Sequence, residues 1–198
     1  MPQRTATVCR LPQKRAPRYD GMMFEPGKPP TKPISADRLA SLLSRFEVLM
    51  DLNMPGLQLN GLEMADRSFY GCNFTRSVFR NCTIRNCTFE LCFFDFSSHS
   101  NGTYSGLNAK NCVFACSTFD QVKFTGSNLI QCSFNAITGG ELAIDDCDLL
   151  HSRFDGAPDI DLEVTNCNVK ETRFIRTPTD RLRFSLANEE DAVFVDEG

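Results

Sequence analysis

Large apolar residues recur at every fifth position along most of this chain, with polar residues between them. The stretch C-N-F-T-R-S-V-F-R-N-C-T-I-R-N-C-T-F-E (72–90) contains four of them: Phe74, Phe79, Ile84 and Phe89. A helix repeats every 3.6 residues and a strand every two, so neither element explains a spacing of five. A small or apolar residue, often cysteine, stands two positions before each large one. The interval holds without a slip over residues 57–184, which predicts one long repetitive domain.

The individual repeats resemble those of the pentapeptide-repeat family. That family has a small residue, Asn or Asp, Leu or Phe, and then two polar residues. The best matches are C-N-F-T-R (72–76), C-T-F-E-L (87–91), S-N-L-I-Q (127–131) and C-D-L-L-H (147–151). The resemblance covers about two thirds of the chain. It implies an all-β fold, a right-handed parallel β-helix with a square cross-section and four pentapeptides per coil.

A coil of twenty residues leaves its own signature in this sequence. Every twentieth position from 74 is phenylalanine: Phe74, Phe94, Phe114, Phe134, Phe154 and Phe174. Five-residue periodicity alone would not make one column uniform. Twenty-residue coils stack these residues above one another at the strand spacing of about 4.8 Å. The sequence therefore predicts a solenoid in which two residues of every five point inward and three point to water.

A helical cap is predicted before the solenoid, over residues 35–52. The apolar residues of S-A-D-R-L-A-S-L-L-S-R-F-E-V-L-M (35–50) fall on one helical face: Leu39, Leu42, Leu43, Phe46, Leu49 and Met50. Ser35 is the predicted N-cap, and N-M-P-G (53–56) is expected to end the helix. A cap is needed because an open solenoid end exposes strand edges and core.

The two ends of the chain differ in charge. Residues 1–34 hold seven Lys or Arg and two Asp or Glu, while residues 35–198 hold 14 and 23. Residues 1–34 are also rich in proline, and we predict a disordered basic arm that is a plain tail, a targeting or secretion signal, or a partner-binding segment. Residues 185–198 are predicted to be an acidic tail. Either four residues cover the end of the last coil, or that end pairs with a second copy, which would give a homodimer rather than a monomer; the four are Phe184, Val193, Phe194 and Val195.

Cysteine usage and hydropathy favour a cytoplasmic protein with reduced thiols. The chain has ten Cys, but no signal-peptide apolar run and no stretch long enough to span a membrane. Stacked cysteines about 4.8 Å apart are too far apart for a tetrahedral zinc site or a disulfide, so we expect them to pack as small hydrophobic residues. Cys116 and Cys9 are the exceptions, because Cys116 takes an outward position and Cys9 lies in the arm. No metal and no cofactor is expected.

Two features mark a candidate interaction surface. One column of the repeat loses its large apolar residues at His99, Gly139, Asp159 and Thr179, which predicts bulged loops along one wall, with Asn101 beside His99. This irregular wall is either a binding face or a wall that tolerates change. Acidic residues also concentrate between 141 and 163, as a contact site or as a solvated surface: Glu141, Asp145, Asp146, Asp148, Asp155, Asp159, Asp161 and Glu163.

These observations predict a non-catalytic protein–protein interaction or scaffold module. Catalysis is not expected, because a packed solenoid offers little concavity for convergent groups. The family resemblance implies two alternatives: a DNA mimic of the quinolone-resistance type that binds DNA gyrase or topoisomerase IV, and a secreted bacterial effector. Direct nucleic-acid binding is disfavoured because the body of the chain is acidic.

Overall fold

The computed structural model describes residues 32–178 and 180–195, which begin with one helix, α1 (Ala36–Leu43), followed by short strands. The strands are β1 (Val48–Met50), β2 (Gln58–Asn60), β3 (Glu63–Ala65), β4 (Ser68–Tyr70), β5 (Val78–Arg80), β6 (Thr83–Arg85), β7 (Thr88–Glu90), β8 (Ser98–Ser100), β9 (Thr103–Ser105), β10 (Asn108–Lys110), β11 (Thr118–Asp120), β12 (Val122–Thr125), β13 (Asn128–Ile130), β14 (Thr138–Gly139), β15 (Glu141–Asp145), β16 (Asp161–Thr165), β17 (Arg173–Ile175), β18 (Leu182–Ser185) and β19 (Val193–Val195).

The strands build a parallel β-solenoid of about seven coils with four walls. Each described strand pair joins residues twenty apart, as in Phe69 with Phe89, so one coil is twenty residues. The first wall contains β1, β4, β7, β10 and β13, and the third contains β2, β5, β8, β11 and β14. On the second wall, isolated β-bridges join every twentieth residue from Asn53 to Arg173, and the strands β17 and β19 pair at its C-terminal end. The fourth wall contains β3, β6, β9, β12, β15, β16 and β18.

The core is the column of large residues at each wall centre. On the second wall, phenylalanine rings stack almost parallel, with centroids 4.9 Å apart for Phe74 and Phe94 and 4.7 Å for Phe94 and Phe114. Stacked aromatic pairs at this distance add about 0.5–1.5 kcal/mol to the gain from burial. The predicted solenoid, its twenty-residue coil and its phenylalanine column are therefore confirmed.

The corner residue of most repeats has left-handed backbone geometry. It stands two positions after the wall centre, as at Asn81 (φ 53°), Asn86 (φ 51°) and Asn101 (φ 50°). Asparagine, aspartate and glycine tolerate this region, whereas bulky side chains there are outliers. The corners therefore explain why the repeats are rich in Asn and Gly.

The cysteines pack inside the solenoid as predicted. Eight of the nine described cysteines are buried and unpaired, and Cys116 is the exposed one. Most of the buried thiols donate to carbonyls of the preceding coil, as from Cys112 Sγ to the oxygen of Phe89 (3.3 Å). Serines in the same slot do likewise, as from Ser117 Oγ to the oxygen of Phe94 (2.7 Å). Burial raises the pKa of the Cys82 and Cys87 thiols, which keeps them protonated and unreactive.

The predicted helix over residues 35–52 is too long. Ser35 is the N-cap as predicted, since its Oγ accepts from the Arg38 amide (3.2 Å), but the helix ends at Leu43. Leu49 instead lies at the centre of β1, which pairs with β4. Leu49 fits both a helical and a five-residue spacing, and pairing decides between them because β1 covers the exposed backbone edge of β4. Leu39 and Leu42 still bury themselves against the first coil.

The predicted solenoid boundaries are also too narrow at the C-terminal end. The acidic tail predicted over residues 185–198 includes β19, whose Phe194 stacks on Phe174 with centroids 5.3 Å apart. Phe194 is the next member of the phenylalanine column, twenty residues after Phe174. The described solenoid therefore runs from Val48 to Val195. The basic arm of residues 1–34 lies outside the described residues except for its last three, as does Thr179.

Candidate protein-contact surface

The predicted acidic surface is distributed over all four walls. Asp148 lies on the first wall, Asp155 on the second and Asp159 in a turn of the third. Asp146 takes a corner with φ 54°. The remaining four share the fourth wall, on the adjacent strands β15 and β16: Glu141, Asp145, Asp161 and Glu163. The structure thus brings together half of the set.

Basic side chains neutralise part of this fourth-wall acidic group. Lys123 Nζ lies 3.2 Å from Asp145 Oδ2, and Arg181 lies 3.7 Å from Asp161. The hydrogen bond from Lys123, with a second one from Asn166, lowers the pKa of Asp145 below its ordinary value. Glu163 pairs in register with Arg183 of β18. The wall is therefore a mixed-charge surface on which the four acids lie among three basic side chains.

The prediction that His99 lies in a bulged loop on an interaction surface is wrong. His99 is the centre of the regular strand β8 and is only 3% exposed. Its ring stacks between Phe79 and Phe119, with centroids 4.7 and 4.8 Å away. Both ring nitrogens have partners, Ser97 Oγ at 2.8 Å and the Tyr104 hydroxyl at 2.9 Å. A histidine with both nitrogens satisfied replaces a core phenylalanine without a loop.

Irregularity on the third wall is confined to its later members. Gly139 takes φ 139°, and a Cβ there would lie 1.7 Å from the backbone oxygen of Phe119. Residues 155–160, which include Asp159, form turns rather than a strand. Asn101 is a corner residue whose side-chain amide donates to Asn81 Oδ1 (3.2 Å). Its neighbours identify it as a rung of a structural amide ladder.

The pairing of Ser97 with His99 has the contacts of a base-activated serine but no access for a substrate. Ser97 is 2% exposed and His99 is 3% exposed. Burial lowers the pKa of His99 to about 3 and raises that of Tyr104. A neutral imidazole locked between two rings and two hydroxyls is a core element. Among the described residues, no group of three or more His, Cys, Asp or Glu has the geometry of a metal site.

A surface outside the predicted interaction surface lies on the second wall. Three large apolar side chains cross one coil there from corner to corner: Leu91, Phe93 and Phe96, which are 55%, 46% and 57% exposed. Phe93 forms a β-bridge with Val113 of the next coil. The exposed Cys116 lies one coil above Phe96, at the same corner. These five residues form what we call the second-wall patch. Contiguous exposed apolar residues on a folded domain typically mark contact sites.

Two members of this patch occupy positions that disfavour them. Leu91 and Phe96 are corner residues with φ 55° and 57°. Bulky side chains in this region destabilise the fold relative to asparagine or glycine, which many of the other corners carry. Both are also exposed, so burial does not offset that strain. Locally unfavourable residues of this kind tend to lie at functional sites.

Charged groups border the second-wall patch. The guanidinium of Arg76 lies 5.9 Å from the centroid of Phe96, in cation–π range. Asp95 lies between Phe93 and Phe96 in sequence, and burial raises the pKa of its carboxyl. The patch therefore has an aromatic centre and a polar rim, which is the usual anatomy of a protein interface. The signal available in the sequence was the presence of Leu and Phe at corner positions.

The described part of the chain contains no helix with the length and hydrophobicity that crossing a bilayer requires.

Similarity to known proteins is found among solved structures. No protein-family model and no curated protein matches the chain. Among solved structures it is similar to QnrB1, a plasmid-mediated fluoroquinolone resistance protein, with 14% identity and a TM-score of 0.46, covering 75% of this chain and 82% of that one. It is also similar to two cyanobacterial pentapeptide-repeat proteins at 10% identity and a TM-score of 0.26. The first is HetL of Nostoc, which is involved in regulating heterocyst differentiation; the match covers 83% of this chain and 98% of HetL. The second is Rfr23 of Cyanothece, and the match covers 70% of this chain and 98% of Rfr23.

Proposed function

We propose that this pentapeptide-repeat β-solenoid is a non-catalytic protein-binding module that contacts a protein partner through the second-wall patch. The observation that carries the proposal is the exposure of Leu91, Phe93 and Phe96 side by side on a rigid wall. Aromatic side chains contribute disproportionately to protein–protein binding energy, and a rigid backbone presents them with little loss of entropy.

The corner geometry strengthens this proposal. Leu91 and Phe96 stand at left-handed corners, where a bulky side chain lowers stability, and more than half of each residue is exposed. A binding role explains that loss, since hydrophobic anchors at these points face a partner rather than the core. An enzymatic role has no comparable support, because the nearest catalytic-like pair, Ser97 and His99, is buried.

A paired substitution tests the binding role. We expect the L91N/F96N variant to fold at least as stably as the wild type and to bind the partner roughly ten-fold or more weakly, as for two interface anchors. Leu186 is the matched control, since it is also an exposed corner leucine (82%, φ 55°) but lies away from the patch. The L186N variant is expected to bind normally.

The partner would be isolated with the full-length wild type from its native cells, identified by mass spectrometry and purified. Its affinity for wild type, L91N/F96N and L186N would then be measured by titration calorimetry. Equal affinity of L91N/F96N and wild type for every purified partner would overturn the role of the second-wall patch.

A second candidate is mimicry of duplex DNA toward gyrase or a related topoisomerase, as the repeat resemblance implies. The observation that favours it is the adjacency of Glu141, Asp161 and Glu163 on strands β15 and β16, with Asp145 beside them. A gyrase supercoiling assay, with and without a fluoroquinolone, tests it. Inhibition or protection by wild type, lost when these four acids become Lys, would support mimicry. The same four-Lys variant should leave binding through the second-wall patch unchanged.

Cytoplasmic location and export as an effector both stay predictions.

A further inference from the structure

The C-terminal half of the second wall carries three arginines that we call the basic cluster: Arg153, Arg173 and Arg176. Arg153 and Arg173 belong to the same bridged column as Phe93 and lie one coil apart. Arg176 takes the corner after Arg173, with φ 53°. Residues 35–198 hold 14 Lys or Arg against 23 Asp or Glu, so three bases on one wall run against the acidic character of the body.

The positive charge of the basic cluster is only partly neutralised. Arg173 Nη2 lies 3.8 Å from Asp155 Oδ2, at the outer limit of an ion pair. No ion pair among the described residues involves Arg153 or Arg176. Both of these arginines are exposed. Their guanidinium groups are therefore accessible to acidic groups of another molecule.

The basic cluster is unfavourable for the fold itself. Arg153 and Arg173 form a β-bridge, so two like charges lie side by side on successive coils. Like charges in neighbouring strand positions destabilise a sheet. Glu171, a corner acid in the same coil as Arg173, is already paired, with Oε2 3.1 Å from His151 Nδ1. Residues that are locally unfavourable in this way tend to lie at functional sites.

Small residues separate the basic cluster from the second-wall patch. In the corner column that ends at Arg176, the side chains become smaller along the wall: Phe96, Cys116, Ala136 and Gly156. The stacked rings behind this wall set the scale, with centroid separations of 4.7, 4.9 and 4.8 Å over the coils from Phe94 to Phe154. Phe93 and Arg153, which precede these two residues, are therefore about 14 Å apart along the solenoid.

We propose that the protein partner of the second-wall patch presents an acidic group to the basic cluster, in the segment whose apolar side chains contact Leu91, Phe93 and Phe96. In an extended segment, at about 3.3 Å per residue, the acid follows the apolar side chains by roughly four or five residues. Apolar anchors supply most of the affinity, and the charges set orientation and register. The inference rests on the proposed function, because it specifies the chemistry of the partner that the patch binds.

Dye-labelled peptides test this charge preference on the full-length protein. The acidic probe joins L-F-F to E-E-E through the spacer G-S-G-S, and the basic probe has K-K-K in place of E-E-E. In anisotropy titrations at low salt, we expect wild type to bind the acidic probe roughly ten-fold more tightly than the basic probe. High salt should remove most of that difference. A third probe, L-F-F-E-E-E-G-S-G-S, keeps the composition but loses the spacing, and it should bind several-fold more weakly than the acidic probe.

Charge reversal locates the contact. R153E/R176E should lose the preference for the acidic probe, and R153Q/R176Q, which adds no negative charge, should show an intermediate preference. The matched control is R80E/R85E, which makes the same change in net charge at exposed arginines of β5 and β6, on the third and fourth walls. It should bind the probes as wild type does. Equal unfolding midpoints will establish that the variants are folded.

Equal affinity of wild type for the acidic and basic probes would overturn the inference. An unchanged preference in R153E/R176E, or the absence of binding by every probe, would overturn it as well. In each of these cases the proposed function still stands if L91N/F96N binds the purified partner more weakly than wild type does. Conversely, if L91N/F96N binds both the partner and the acidic probe normally while R153E/R176E loses the acidic probe, the charge preference stands and the role of the second-wall patch fails.

Discussion

The imidazole of His99 lies almost parallel to the ring of Phe79, with centroids 4.7 Å apart and an interplanar angle of 6°. The stack continues to Phe119 on the other side. A histidine thus takes the place of a core aromatic residue, and this buries an ionisable group away from water. The pH dependence of stability follows from that exchange.

Stability should fall as the pH drops below the pKa of an unfolded-state histidine. The pKa of His99 is lowered from 6.5 to about 3 by burial, so the unfolded chain binds a proton that the folded chain refuses. The stabilising contribution is complete above pH 6.5 and is lost progressively toward pH 3. From pH 7 to pH 5 we expect a loss of about 2 kcal/mol in the free energy of unfolding, measured by denaturant titration.

The control for this prediction is the H99F/Y104F variant. It continues the phenylalanine stack and removes the Tyr104 hydroxyl that would otherwise lose its partner at His99. Its free energy of unfolding should vary much less over the same pH interval. An equally steep slope in this variant would assign the effect to other groups.

Truncation within the phenylalanine column should be severe. Phe114 stacks between Phe94 and Phe134 at 4.7 and 4.9 Å, and it is 6% exposed. Phe114→Ala should destabilise the fold by about 3–5 kcal/mol through lost burial and a residual cavity. Chemical denaturation gives the value. The exposed Lys110 of the same coil, replaced by Ala, should change stability by less than about 0.5 kcal/mol. If Phe114→Ala lowered the free energy of unfolding by less than about 1 kcal/mol, the phenylalanine column would not be part of the stabilising core.

Replacing corner hydrophobic residues should stabilise the protein. Leu91→Asn, Phe96→Asn and Leu186→Asn each place a residue that tolerates left-handed φ at a corner of φ 55–57°. We expect gains of about 0.5–1 kcal/mol each, read from the shift of the denaturant midpoint. A destabilisation by Leu91→Asn or Phe96→Asn would mean that these side chains support the fold, and would weaken the argument for a binding role.

The short N-terminal helix should protect the first coil from self-association. Leu39 and Leu42 of α1 are 2% and 1% exposed against the core. Replacing both with Ser should loosen α1 and give dimers or larger species in light-scattering chromatography, because the uncovered coil presents apolar surface and strand edges. The exposed neighbours, changed as A40S/S41N, provide the matched control. A monomeric L39S/L42S variant would contradict the capping role.

The sequence by itself determined the architecture, because the repeat is a local rule applied many times. Within each pentapeptide, residue size and polarity indicate which positions face inward and which face outward. The phenylalanine at every twentieth position from Phe74 to Phe174 indicates a coil of twenty residues. The same rule correctly placed Cys116 outside and the other repeat cysteines inside. The boundaries were harder to predict, since Leu49 satisfies two periodicities and only pairing with β4 selects the strand.

Only the tertiary structure decided what the surface contains. Eight acids that are close in sequence lie on four different walls, because a chain that turns every five residues sends neighbours in different directions. His99 is hidden because rings of the coils on either side enclose it and two hydroxyls satisfy its nitrogens. The patch of Leu91 and Phe96 extends to Val113 and Cys116 because the next coil stacks on theirs. Such relationships join residues in different coils and walls, so they depend on how the coils stack rather than on any single repeat.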